Sequence, residues 1–144
     1  MKVTGSYLFQ ASASKVWATL MDPQVLSRCL PGCETLERVG DDQYQAVLSV
    51  GIGPIRGRYQ AKIAIHDKTL HQSYRLVLEG TGPTGFAKGE ALITLVEQEG
   101  KATVQVEGDA QAGGPMARVG QRMMGSAAKM VLDQFFSCLQ QAVS

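Results

Sequence analysis

Thiols and imidazoles are the first residues to weigh, because Cys and His in close spacing bind metals or exchange electrons. Cys29 and Cys33 stand four positions apart in CLPGCETLE, with Cys138 far downstream and only two histidines, His66 and His71, in 144 residues. A redox helix or a zinc knuckle uses C-x2-C, and the C-x3-C spacing here fits neither. His66 and His71 flank an expected turn and are distant in sequence from both cysteines, so a metal would need ligands gathered from scattered positions. Three cysteines form an odd set without a disulfide framework, and the expectation is reduced thiols. Leu30-Pro31-Gly32 reads as a tight turn, Pro fixing φ and Gly free to take a positive one.

Other chemistry is equally thin. VGIGPIRG places Gly51, Gly53 and Gly57 in a G-x-G-x3-G run. A nucleotide fingerprint needs a helix after the glycines, whose N-terminus meets the phosphate, whereas RYQAKIAI alternates like a strand. The run therefore reads as a bent hairpin. Glu107 and Asp109 fall on the solvent side of a strand, no elbow motif surrounds a serine, and two histidines beside one turn make no acid and base pair. The sequence nominates no catalytic residue, no metal ligand and no cofactor.

The elements that must position any site follow from periodicity. VTGSYLFQ forms a first strand; Ser12 or Ser14 caps a short helix through Val16, Trp17 and Leu20, Asp22-Pro23 ends it, and PQVLSRCL forms a second. Strands follow at CETLERVG, YQAVLSVGI, IRGRYQAKIAIHD, SYRLVLEGTG, GEALITLVEQ and KATVQVEGDA, with turns at Asp41-Asp42, Asp67-Lys68 and Glu99-Gly100. TGPTGFAKG, residues 81 to 89, reads as a glycine-rich loop at the mouth of whatever lies beneath.

Parity puts Tyr44, Ala46, Leu48 and Val50 on one face with Tyr59, Ala61, Ile63 and Ile65, then Tyr74, Leu76 and Leu78, then Ala91, Ile93 and Leu95, then Ala102, Val104 and Val106. The other face carries Gln45, Arg58, Gln60, Lys62, Arg75, Glu79, Glu90 and Glu107. An antiparallel sheet with one wet face needs a cover for the dry one. Gly113-Gly114-Pro115 stops the last strand, and a helix from Pro115 to about residue 142 supplies the cover. Its apolar stripe is expected at Gly120, Met124, Ala127, Val131, Phe135, Cys138 and Ala142, opposite Arg118, Arg122, Ser126, Lys129, Asp133, Ser137 and Gln140. Met116, Met123, Met124 and Met130 cluster there, with Gly120 and Gly125 where each would cost a helix about 1 kcal/mol relative to Ala. Methionine fills adaptable cores and promiscuous apolar surfaces alike, so both a packed core and a ligand cavity fit this pattern.

Length and composition set the outer bounds. The chain fits one domain, 1–144, of 44% hydrophobic and 19% charged residues, and its 14 basic against 13 acidic side chains make no field for nucleic acid. No signal peptide or run of about 20 apolar residues is present, so a cytoplasmic, soluble protein is expected.

The order of strand, two short helices, antiparallel strands and one long helix resembles the START-like, or SRPBCC, helix-grip superfamily over essentially the whole chain. The fold class is thus α+β: a curved antiparallel sheet of about seven strands wrapped on a long C-terminal helix. More narrowly, LPGCETLE, VGIGPIRGRYQAKI, GFAKGEALITL and GDAQAGGPMARVGQRMM resemble the CoxG family, the G component of carbon monoxide dehydrogenase. That resemblance implies a deep apolar cavity and an accessory role beside a molybdenum hydroxylase of carbon monoxide dehydrogenase or xanthine dehydrogenase type. It also implies membrane association or quinone binding. Many members continue into a linker and a membrane-binding tail, whereas this sequence stops at Ser144, so stable anchoring is not expected of it, and peripheral membrane contact with loading through a mobile mouth is left open.

Binding of a quinone or other isoprenoid lipid, without catalysis, is the leading expectation. The inward Tyr44, Leu48, Tyr59, Ile63, Tyr74, Leu76 and Phe86 would line the site, roofed by Met116, Gly120, Met123, Met124 and Ala127. Tyrosine hydroxyls would hydrogen-bond a ligand carbonyl. Two alternatives stand beside this: a cyclase- or hydrolase-like enzyme acting on an apolar substrate, and a ligand-free assembly factor that docks the oxidoreductase. A homodimer is left open.

Overall fold

The computed structural model describes residues 1–143. The chain runs β1 (Lys2–Phe9), α1 (Ala13–Leu20), α2 (Pro23–Cys29), β2 (Cys33–Gly40), β3 (Gln43–Ile52), β4 (Ile55–Thr69), β5 (Ser73–Gly82), β6 (Gly85–Gln98) and β7 (Lys101–Gly113). A 3-10 segment (Gly114–Val119) and α3 (Gln121–Val143) complete it. One seven-stranded antiparallel sheet has the order β1-β7-β6-β5-β4-β3-β2. The fold is START-like, with α3 lying on the sheet's concave side.

Local chemistry explains the short helices and the corner after them. The Ser12 hydroxyl accepts from the Lys15 amide at 3.2 Å, and the Asp22 carboxylate accepts from the Gln24 amide at 2.9 Å, each satisfying an otherwise orphaned donor. After α2, the Cys33 amide donates to the Leu30 carbonyl at 3.1 Å, closing the turn. Gly32 sits there at φ +72°, and a Cβ on it would lie 2.0 Å from the Ser49 carbonyl oxygen. Only glycine fits that approach, through which the Ser49 amide reaches the Gly32 carbonyl at 2.8 Å. CLPGC is thus a corner into the sheet.

Its first cysteine nevertheless has a partner. Cys29 forms a disulfide with Cys138, tying the end of α2 to α3 across 109 positions, and Cys33 alone keeps a free thiol. The expectation of three reduced thiols is corrected here: the pairing is made by the packing of α2 on α3, which spacing along the chain does not encode.

The roof differs from expectation in two ways. Residues from Pro115 do not enter an α-helix; they form the 3-10 segment, and Gly120 at φ +94° breaks the chain direction before α3 starts at Gln121. Such a φ cannot continue a helix and costs glycine little. The buried stripe also lies about one residue further on, at Ala127, Leu132, Phe136, Leu139 and Val143, leaving Val131 37% exposed and Ala142 at the surface. Two adjacent stripes are apolar, and the one with Leu132, Phe136 and Leu139 removes more apolar surface from water.

Smaller adjustments concern turns. Asp67 and Lys68 lie in a bulge of β4, and the chain reverses at Leu70–Gln72 with His71 at φ +63°. TGPTGFAKG is a tight hairpin whose strands meet at Gly82 and Gly85. The glycine run at 51–57 is the β3–β4 hairpin tip, as its alternating flank requires.

The main core fills one end of the concave face. Phe9, Trp17, Leu20, Tyr74, Ile93, Leu95, Val104, Phe136, Leu139 and Val143 are buried together. Tyr7 stacks on Phe136 at 4.3 Å between ring centroids, and Trp17 meets Tyr74 edge-on at 5.6 Å. The close backbone approaches of α3 are to β1, α1 and α2.

Candidate functional site

Toward the N-terminal end of α3 the filling changes. A second buried cluster joins Ile55, Tyr59, Met116 and Ala127, with Val50, Ile52, Ala87, Ala112 and Met124 half-buried around it. Here β6 and β7 face the interior with small residues in register: Ala87 opposite Ala112, Gly89 opposite Ala110, Ala91 opposite Gly108. Three successive pairs without a large side chain leave space that Leu or Ile would fill.

That space is a cavity of about 360 Å³ lined by Met1, Ala87, Ala110, Gln111, Ala112, Met116, Ala117, Gly120, Gln121 and Met124. Its volume falls within the roughly 300–1,000 Å³ typical of small-molecule sites. The lining holds no carboxylate, imidazole or thiol. It suits an apolar guest with hydrogen bonding from backbone and amide groups.

Beside the cavity, Tyr59 packs its ring over Gly82, where a Cβ would come within 2.5 Å of the ring. Its hydroxyl pairs with that of Thr84 in the β5–β6 turn. Burial pushes the Tyr59 phenol above its ordinary pKa, the Thr84 contact acting in the other direction. The phenol therefore stays protonated and can donate.

The other residues expected at the site divide by position. Met116, Met124 and Ala127 lie over the sheet as a roof, and Gly120 lies on the cavity rim, exposed. A Cβ on Gly120 would meet nothing within 4 Å, so its role is the break in direction and not close packing. Met123 is 43% exposed, its sulfur beside the Gly53 tip. Tyr44 and Ile63 are buried on the concave face and Leu48 is half-buried there, while Leu78 on that face is 41% exposed. Tyr74 and Leu76 belong to the filled core; burial holds the Tyr74 phenol far above its ordinary pKa.

Phe86 does not face inward. β6 begins at Gly85, so parity sends Phe86 to the convex face, 42% exposed, against Gly113 and with Lys88 Nζ 5.9 Å from its ring centroid. The sequence reading missed Ala87, Ala110, Ala112, Met1 and Thr84. The alternating small residues GFAKGEA and EGDAQAG were the available signal, since inward Ala and Gly in facing strands mark unfilled volume.

The CoxG family, the G component of carbon monoxide dehydrogenase, matches residues 5–144. The chain belongs to that family. A conserved protein from Geobacillus kaustophilus is similar at 35% identity and TM-score 0.95, over 99% of this chain and 95% of that one. A START superfamily protein from Mycobacterium smegmatis is similar at 17% identity and TM-score 0.74, over 99% of this chain and 96% of that one. Protein CV1439 from Chromobacterium violaceum gives 15% identity and TM-score 0.74, with 99% and 96% covered. The last two share the fold alone. No curated protein matches. Among the described residues of this CoxG-family chain, no helix is long and apolar enough to cross a membrane.

Proposed function

We propose that this CoxG-family protein binds a hydrophobic small molecule, a quinone or other isoprenoid lipid, under the N-terminal half of α3. The observation that carries the reading is the small-residue register of β6 and β7 beneath Met116 and Met124, which leaves an apolar cavity beside the filled core. Methionine side chains adapt to an irregular guest, and Tyr59 with Thr84 offers the hydroxyl donors that a quinone carbonyl accepts. Tyr44, Leu48 and Ile63 lie on the same concave face along β3 and β4, outside the cavity lining. No catalytic step is assigned. Family membership supports an accessory role beside a molybdenum hydroxylase of carbon monoxide dehydrogenase type, in membrane recruitment or electron-acceptor delivery, with peripheral membrane contact.

The test is mass spectrometry of organic extracts from gently purified protein, against buffer and an unrelated protein. A quinone or isoprenoid lipid approaching one per chain supports the reading. An extract matching the controls, followed by no uptake of added short-chain quinone, overturns it in favour of a ligand-free assembly factor.

A further inference from the structure

A covalent strap crosses the concave face. β1 and β2 are the two edges of the sheet. Along the first edge α3 is fastened by polar bonds: the Tyr7 hydroxyl donates to the Asp133 carboxylate at 2.8 Å, and the Gln140 side-chain amide donates to the Leu8 carbonyl at 2.8 Å. At the other edge α2 runs straight into β2 through the corner at Gly32, whose carbonyl accepts from the Ser49 amide of β3. The Cys29–Cys138 disulfide joins the two helices, so one path through β1, α3, the two sulfurs, α2 and β2 links edge to edge. Among the described residues, no comparable run of backbone approaches ties α3 to β3, β4 or β5.

Apolar surface stays accessible on that untied flank. Leu78 on the concave face is 41% exposed, and Val131, one turn beyond Ala127 on the stripe that meets Tyr59, is 37% exposed. Leu48, Ala61 and Gly80 on the same sheet face are half-buried. The middle of α3 therefore stands off β3–β5, and the tie at its far end limits how wide that gap becomes. Cys33 is no part of the tie. Its thiol donates to the Thr35 carbonyl at 3.4 Å, and burial pushes its pKa up, which keeps it protonated and a poor nucleophile.

We infer that the Cys29–Cys138 disulfide is a redox-controlled strap: a dithiol opens it, freeing the C-terminal half of α3 from α2 and widening the gap between α3 and β3–β5. The consequence for an apolar guest, faster entry and release in the reduced state, rests on the carrier reading above. Cys138 is half-buried and Cys29 buried, so a thiolate of the dithiol attacks the Cys138 sulfur. A mixed disulfide forms, and Cys29 leaves as a thiolate that takes up a proton. The second thiol of the dithiol then displaces Cys138, which is protonated in turn. The dithiol ends as a disulfide, having given two electrons and two protons. Phe136, Leu139 and Val143 keep α3 on the core when the bond is open, so the chain stays folded in both states. In a reducing compartment a disulfide is transient, as a switch requires.

Amide hydrogen exchange of the full chain before and after dithiothreitol tests this without any guest, with alkylation counting one free thiol before and three after. Reduction is expected to speed exchange by at least about tenfold in α2 and in α3 from Ala127 onward, and to leave the β6–β7 hairpin unchanged. Cys138→Ala is expected to match the reduced protein and to ignore dithiothreitol, whereas Cys33→Ser responds like the unaltered chain; thermal unfolding verifies the fold of each variant. Three free thiols before reductant, a bond that resists dithiothreitol in the folded chain, equal exchange in the two states, or a uniform rise that includes β6 and β7 overturns the inference. Binding of a short-chain quinone in both states separates the two proposals. Redox-dependent exchange with no quinone bound in either state sinks the carrier and spares the strap; bound quinone with exchange unaltered by reduction sinks the strap and spares the carrier.

Discussion

The two halves of the concave face solve the same covering problem differently. Under the C-terminal half of α3, Phe9, Trp17, Phe136, Leu139 and Val143 close the space, and the Cys29–Cys138 disulfide holds the helix to α2. Under the N-terminal half, Ala87, Ala110 and Ala112 face Met116 and Met124 across a cavity, and the backbone breaks at Gly120. One half is filled by its own side chains, and the other leaves the space that the proposed guest would occupy.

That contrast can be broken most severely at the closed half. Leu139, fully buried, should cost about 2–5 kcal/mol when changed to Ala, by lost burial and a new cavity, measured by urea unfolding. Removing the disulfide with Cys138→Ala should cost about 2–4 kcal/mol. Alkylation of the unreduced, unfolded protein should label Cys33 alone of the three cysteines; labelling of all three would remove the covalent tie.

The pH dependence of stability sharpens the same comparison. Burial raises the Tyr74 phenol, so below pH about 10 folded and unfolded chains both hold that proton. Above it the unfolded chain releases a proton the folded one keeps, and stability falls as pH rises. Unfolding curves between about pH 8 and pH 11 should show this fall, and Tyr74→Phe should flatten it.

At the open half the effects on stability should be small and those on binding large. Ala112→Leu fills the cavity, so its stability should change by less than about 1.5 kcal/mol while uptake of a short-chain quinone falls at least tenfold. Tyr59→Phe should cost about 1 kcal/mol, removing the hydroxyl paired with Thr84, and should weaken a quinone more than an alkane of similar size.

How much of this was legible follows from what each signal encodes. Period-two alternation located the strands from β2 to β7 and put Tyr44, Tyr59, Ile63 and Tyr74 inside, because parity is local. It misplaced Phe86 because its assignment rested on reading residues 81–89 as a loop; once Gly85 is paired, parity turns the ring outward. On α3 two neighbouring stripes were both apolar, and the choice of Leu132 and Phe136 over Val131 depends on what the sheet presents. The disulfide and the cavity are also products of packing. Ala and Gly at facing inward positions hinted at the cavity, but only the β6–β7 register shows that they coincide.

The most direct test of the contrast is methyl NMR of protein with 13C-labelled methionine methyls, titrated with a short-chain isoprenoid quinone. Met116 and Met124 line the cavity with Met1, whereas Met21 packs against the filled core. Shifts at Met1, Met116 and Met124 with Met21 unmoved are the predicted result. Uniform shifts that include Met21, or none at saturating quinone, would contradict the division of the concave face into a closed half and a receiving one.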